Sequence, residues 1–141
     1  MRVTSEEELY LFAEKFAKEL RKGERARVVA LSGELGAGKT AFTQALGSHF
    51  GILETVTSPT FVIENIYRLS GQKWKRFIHI DAYRLKGMDE LLAIGWNDIV
   101  VDPDNIIVIE WPERVEQIIP DDAIRLTFTL DGDVREITRE K

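Results

Sequence analysis

The sequence predicts an α/β fold, a mixed parallel and antiparallel sheet flanked by helices, in a single domain of 141 residues. Three observations carry this expectation. A glycine-rich segment, Gly33-Glu34-Leu35-Gly36-Ala37-Gly38-Lys39-Thr40, stands between a strand-like run and a helix-like run. A second run, Ile106-Ile107-Val108-Ile109, is continuously apolar and ends at Glu110, the pattern of a strand buried on both faces. Elsewhere, paired β-rich runs are joined by turn residues, so hairpins must accompany the parallel strands. A chain of this length buries ~70% of the surface its unfolded form exposes, enough for one core without covalent staples.

The elements follow in order. Ser5 and Glu8 form a capping box, and Leu9, Phe12, Ala13, Phe16 and Leu20 recur at helical spacing until Gly23, which predicts an amphipathic N-terminal helix. Val28-Val29-Ala30-Leu31 is the strand before the glycine-rich segment, and Ala41 to Leu46 is the helix after it, ending at Gly47 or Gly51. Glu54 to Phe61 is rich in hydroxyls and contains Pro59, so an ordered loop is expected there, entering a strand. Phe61 to Arg68 and Trp74 to Asp81 read as strands joined through Ser70-Gly71-Gln72. Asp89 to Ile94 is a short helix, and Pro112 opens another before Pro120. Ile124 to Leu130, the turn Asp131-Gly132 and Val134 to Thr138 form a closing hairpin. No repeat or linker divides the chain.

Composition narrows the function. No cysteine is present, which removes disulfides, thiolate zinc sites and cysteine nucleophiles and fits a reducing cytoplasm. The acidic start Thr4-Ser5-Glu6-Glu7-Glu8 is unlike a signal peptide, and no apolar run approaches the ~20 residues that span a bilayer, so a soluble, cytoplasmic protein without membrane contact is expected. A net charge of −5 argues against broad, charge-driven nucleic-acid binding. Lys73, Lys75 and Arg76, with Trp74 among them, are the densest basic cluster and read as the solvated face of a strand.

The glycine-rich segment matches G-x-x-x-x-G-K-[ST], the phosphate loop of a P-loop NTPase domain. Its glycines let backbone amides turn toward a phosphate, and the following helix offers unpaired N–H groups and the positive end of its dipole. Lys39 would reach the β- and γ-phosphates, and the Thr40 hydroxyl would hold Mg²⁺. Such a loop needs a carboxylate for the metal and a group that positions the attacking oxygen. Two strand-like runs end in acids, Asp81 and Glu110. Glu110 is the better magnesium-side acid because its run suits a central strand, and ligand sites in open α/β sheets lie beyond strand C-termini. Either acid could instead pair with a neighbouring arginine. His79 alternates with Ile78 and Ile80 and so faces opposite them; a structural role and a catalytic one both fit. His49, late on a helix, suits the negative end of the dipole.

Gly33 to Thr40, Ser58-Pro59-Thr60-Phe61, His79-Ile80-Asp81-Ala82-Tyr83-Arg84 and Ile109-Glu110-Trp111-Pro112, in this order, resemble the TsaE (YjeE) family over nearly the whole chain. The resemblance implies the ATPase component of bacterial tRNA threonylcarbamoyladenosine synthesis, slow by itself and acting with the TsaB and TsaD proteins. TsaD transfers a threonylcarbamoyl group to N6 of adenosine 37 in tRNAs reading codons that begin with A, so any contact of this chain with tRNA is expected through the complex. The implied ligands are ATP and magnesium. Glu34, Leu35, Gly36, Ala37, Gly38, Lys39 and Thr40 would cradle the triphosphate, and Thr40 and Glu110 would hold the metal. Thr60 would approach the γ-phosphate or the metal from a switch-like loop, and Asp81 would orient or deprotonate water. Trp111, directly after the metal acid, would lie by the nucleotide or pack at a sheet edge. Adenine would sit between Thr4 and Glu6 on one side and the closing hairpin with Arg135 on the other. Tyr83 and Arg84 would brace the loop or meet a partner.

Two other readings share the phosphate loop. A small kinase would use Asp81 on a substrate hydroxyl, but the sequence lacks an arginine-rich lid segment. A nucleotide-gated binding module would use ATP to order the Ser58 to Thr60 loop for a partner. No N-K-x-D guanine-reading motif occurs. Arg84, Arg114 and Arg135 are the candidates for a charge-stabilising arginine.

Overall fold

In the computed structural model, which describes residues 1–34, 36–52, 64–83 and 85–140, a two-residue strand, Arg2–Val3 (β1), precedes helix α1, Glu6–Glu19. Ser5 caps α1 as expected, its hydroxyl oxygen accepting from the Glu8 N–H at 3.1 Å. The Glu8 carboxylate accepts from the Thr4 hydroxyl. The helix ends at Glu19 rather than running toward Gly23, because Leu20 turns to extended backbone while its side chain stays buried.

Strand β2, Arg27–Gly33, leads through the glycine-rich segment into α2, Lys39–His49. The first hairpin is β3, Glu64–Arg68, and β4, Arg76–Asp81. Its expected earlier start, Phe61 to Ile63, lies outside the described residues, as does the Ser58 to Thr60 loop. The second strand starts two residues later than Trp74. Leu69 N–H donates to the Lys75 carbonyl at 2.8 Å, and the Lys75 and Arg76 amides both donate to the Asp104 carbonyl, so Lys73 to Lys75 belong to the turn. Trp74 is buried there, edge-to-face with Phe50 at 5.6 Å. The expected solvated strand face is therefore an exposed turn anchored by a buried ring.

Short helices α3, Met88–Ala93, and α4, Trp96–Ile99, precede β5, Asn105–Glu110, every residue of which is buried. The helix expected after Pro112 is a 3₁₀ segment, Pro112–Ile118, broken at Val115. Strands β6, Ile124–Asp131, and β7, Val134–Arg139, close the chain. Asp131 pairs with Val134, so the two loop residues are Gly132 and Asp133 rather than Asp131 and Gly132. Gly132, at φ 61, takes the first central position of the turn, which favours glycine.

One sheet results, in the order β1-β7-β6-β2-β5-β4-β3. Its centre, β6-β2-β5-β4, is parallel, and antiparallel strands β3, β7 and β1 extend both edges. Period-two alternation divides the core between the two faces. Ile106 and Val108 pack with Phe16 of α1 and Phe42 of α2, whereas Ile107 and Ile109 pack with Leu91, Trp96 and Val115. Burying each such side chain contributes roughly 1.5–3 kcal/mol, which explains an uninterrupted apolar strand at the centre. Because the parallel strands are in register, Leu31, Asp81 and Glu110 lie side by side at their C-terminal edge.

Candidate nucleotide site

The glycine-rich turn starts where β2 meets β6. A Cβ on Gly33, which has φ 141, would lie 2.3 Å from the Phe128 carbonyl oxygen, so the backbone leaves β2 at a point only glycine can occupy. Gly38, at φ 104, is the N-cap of α2 and supplies no side chain to its N–H groups, which leaves the helix start open to an anion. Lys39 follows and is buried. Its ammonium donates to the Gly33 carbonyl at 2.6 Å and lies 3.6 Å from the centre of the Trp111 ring. Burial lowers the Lys39 pKa, opposed by the charges of Glu110, Glu113 and Asp81.

The acids come from neighbouring strands. Phe77 packs on the α2 side of the sheet, so alternation puts His79 and Asp81 on that side; Ile106 and Val108 do the same for Glu110. Glu110 is buried, and its Oε2 lies 2.5 Å from Nε2 of the fully buried His79. Asp81 is half-buried, and its Oδ1 accepts from the Tyr83 N–H at 3.0 Å. Trp111 is the only non-glycine residue with positive φ among the described residues, at φ 60 and ψ 52. Such a conformation costs on the order of 1–3 kcal/mol and persists only where its surroundings impose it. Here the Trp111 N–H donates to the Leu31 carbonyl at 3.1 Å, while its ring meets Lys39 and the tilted ring of Tyr83, whose centroid is 4.9 Å away.

Two cavities adjoin this turn. One, about 270 Å³, is lined by Lys39, Thr40, Asp81, Glu110 and Trp111. The other, about 320 Å³, lies between Thr4 and Glu6 at the start of α1 and Gly132 and Asp133 in the closing hairpin. Gly36 and Arg135 line both, joining them into one groove over the glycine-rich turn. Arg135 lies close against Gly38, where an added Cβ would be 3.0 Å from its Cδ.

A family model described as Threonylcarbamoyl adenosine biosynthesis protein TsaE matches residues 3–139. The chain belongs to the TsaE family. Among its relatives is the tRNA threonylcarbamoyladenosine biosynthesis protein TsaE of Borreliella burgdorferi, 37% identical over 134 residues that cover 94% of this chain and 93% of the relative. The Streptomyces coelicolor protein of the same name is 42% identical over 116 residues, 79% of this chain and 72% of the relative. The crystal structure of Bacillus subtilis YdiB superimposes with a TM-score of 0.72 at 27% identity, covering 99% of this chain and 82% of that one. The mixed seven-stranded sheet of this chain is thus the expected α/β P-loop architecture.

In this chain the fold brings Lys39, Thr40, Asp81, Glu110, Trp111 and Arg135 to one cavity, and Glu6 with Arg135 to the next. Glu34 is exposed, and its carbonyl accepts from the Ala37 N–H at 3.1 Å, closing the turn. The Ala37 side chain points into the core, so only its backbone is available to a ligand. Leu35, Thr60 and Arg84 lie outside the described residues. The Nε2 of His49 is 3.1 Å from the Tyr10 carbonyl oxygen, tying α2 to α1 away from the groove. Sequence reasoning overlooked Glu113, whose carboxylate accepts from the Ser32 hydroxyl at 3.2 Å and whose charge acts on Lys39. It also missed the tilted ring contact of Tyr83 with Trp111, with the Arg114 guanidinium 5.6 Å from the Tyr83 ring centre. A signal existed for His79: two residues before Asp81 on one strand means the same face.

Among the described residues no helix is long and apolar enough to cross a membrane.

Proposed function

We propose that this TsaE-family protein is an ATPase that binds and slowly hydrolyses Mg-ATP in support of threonylcarbamoyl transfer to tRNA, acting with TsaB and TsaD. The observation that carries the reading is the convergence of Lys39, Asp81, Glu110 and Trp111, from separate elements, on the cavity beside the glycine-rich turn. The N-terminal amides of α2 and the turn from Gly36 to Thr40 would hold the phosphates. Lys39 would reach the β- and γ-phosphates by leaving the Gly33 carbonyl and the Trp111 ring. A lysine already desolvated gains more from a phosphate than a hydrated one would.

Thr40, Asp81 and Glu110 offer only hydroxyl and carboxylate oxygens to this cavity, a donor set that suits Mg²⁺, which keeps several waters and needs few protein ligands. Thr40 and Glu110 would hold the ion; when bound, it would neutralise charge shared by the β- and γ-phosphates. Asp81, with one oxygen occupied by the Tyr83 N–H, would orient the attacking water. A carboxylate beside three phosphates contributes more by positioning than as a free base. Thr60 would complete the γ-phosphate side. Adenine would occupy the second cavity, between Thr4, Glu6 and Arg135.

The decisive experiment is steady-state phosphate release from Mg-ATP by this protein alone and after adding the matching TsaB and TsaD. Slow turnover that rises with the partners supports the reading. Tight nucleotide binding with no response to them would reject it and direct the search to a phosphoryl acceptor.

A further inference from the structure

One buried polar contact on the α2 side of the sheet has no role in that reading. His79 is 0% exposed and Glu110 is 3% exposed, and His79 Nε2 lies 2.5 Å from Glu110 Oε2. Asp81, not His79, is the register partner of Glu110, so His79 reaches the carboxylate from two residues deeper along β4. Asp81 and Glu110 line the cavity beside the glycine-rich turn; His79 approaches from the sheet interior.

The chemistry of the pair is directional. An ionised carboxylate only accepts hydrogen bonds, so the ring donates from Nε2. Its other nitrogen, Nδ1, is buried without a partner among the described residues. Here the ring gives its one hydrogen bond to the side chain that ends the central strand at the cavity. Glutamate has three side-chain torsions, and one oxygen held from behind fixes which way the other points. Outer-shell partners of metal-binding side chains act in this way, orienting the ligand by a hydrogen bond to its far atom.

We infer that His79 is a positioning residue for the nucleotide site: its buried hydrogen bond holds Glu110 Oε2 and leaves Oε1 for the magnesium side. This rests on the reading of Glu110 as the magnesium-side acid. The alternation of β4 thus places two functional groups on one face, Asp81 at the cavity and His79 behind the neighbouring acid.

The test is a MgCl₂ titration of the binding of a non-hydrolysable ATP analogue to the full chain, followed by calorimetry. Wild type, Glu110→Gln, His79→Gln, His79→Asn and His79→Leu are compared, with thermal melting to establish folding. Glutamine places an amide nitrogen near the position of histidine Nε2, whereas asparagine is too short to reach Glu110. His79→Asn and His79→Leu are expected to raise the Mg²⁺ midpoint roughly 10- to 100-fold. His79→Gln should stay within about threefold of wild type, and binding of the analogue in EDTA should be equal in wild type and the His79 variants. Folded His79→Asn and His79→Leu proteins with the wild-type midpoint would overturn the inference; should the leucine variant not fold, the glutamine and asparagine pair decides alone. Equal losses in all three His79 variants, paralleled by lower melting temperatures, would assign His79 to packing and also overturn it. A wild-type response to Mg²⁺ that Glu110→Gln lacks, with the His79 variants unaffected, removes only the role of His79. Wild-type binding indifferent to Mg²⁺ removes the magnesium reading of Glu110 and this inference with it.

Discussion

At the N-terminal edge of the parallel strands, Lys22 donates to Asp104 at 2.6 Å, Lys75 lies 3.6 Å from the same carboxylate, and Arg76 donates at 2.6 Å to both Asp102 and Asn105. At the C-terminal edge, the buried Lys39 ammonium touches a carbonyl oxygen and a ring, while Glu110, Glu113 and Asp81 act on it only through space. The backbone differs too, since the strained Trp111 sits at the C-terminal edge. Charges at one edge are paired with opposite charges within the chain, whereas at the other the buried Lys39 ammonium forms no ion pair among the described residues. The first arrangement stabilises the fold, and the second keeps a buried charge whose desolvation opposes folding.

The largest effect expected from breaking this contrast is at Lys39. Lys39→Met should weaken ATP binding and turnover by roughly 100-fold or more, the scale of losing a preorganised charged donor. It should also raise the melting temperature at neutral pH, because it removes a charge whose burial opposes folding. The sign follows from the lowered pKa: below its folded value the buried charge costs stability, and that cost fades as pH climbs toward the ordinary value of 10.5. Wild-type stability should therefore gain on the variant in alkaline buffer, and melting curves across pH check this.

Next are the two acids. Glu110→Ala should raise the Mg²⁺ midpoint for analogue binding on the order of 10- to 100-fold and Asp81→Ala by less, while Asp81→Ala lowers turnover. The reverse order in titrations would exchange their roles. A smaller effect, confined to stability, belongs to the opposite edge. Arg76→Ala leaves the buried Asn105 oxygen without its donor and should cost about 1–3 kcal/mol in denaturant melts, with ATP affinity unchanged. A change in affinity would show that the two edges are not independent.

The smallest effect is at Asp104. The hydrogen bond from Lys22, reinforced by the charges of Lys22 and Lys75, holds its carboxyl below the usual carboxylate value. Its stabilisation is therefore complete above the unfolded pKa and disappears as pH falls through the folded one. Asp104→Asn should melt slightly below wild type at neutral pH and converge with it in strong acid.

How legible these edges are in the sequence differs sharply. The phosphate loop is a contiguous motif, and the run ending at Glu110 is a contiguous pattern, so both announce themselves locally. The matched edge depends on pairs such as Lys22 with Asp104, 82 positions apart, which no local pattern relates. The basic cluster around Trp74 shows the cost of local reading: its lysines looked like a strand face, yet Trp74 is buried against Phe50 and the segment turns. The closing hairpin was placed correctly but shifted by one residue at its turn, because an Asp-Gly pair does not say which residue begins the loop. Strand β1 and helix α4 escaped notice since two and four residues are too short to show a period.

The sequence by itself determined the α/β class, the phosphate loop, the two strand-end acids and the family, because these reside in residues adjacent in the chain or at fixed short spacing. Tertiary structure alone decided that Arg135 lies against Gly38, that Lys39 rests on Trp111, that the Glu113 charge acts on Lys39 and that His79 is hydrogen-bonded to Glu110. Those contacts follow from strand order and register, which are set by how the whole apolar core packs on both faces of the sheet rather than by any local pattern.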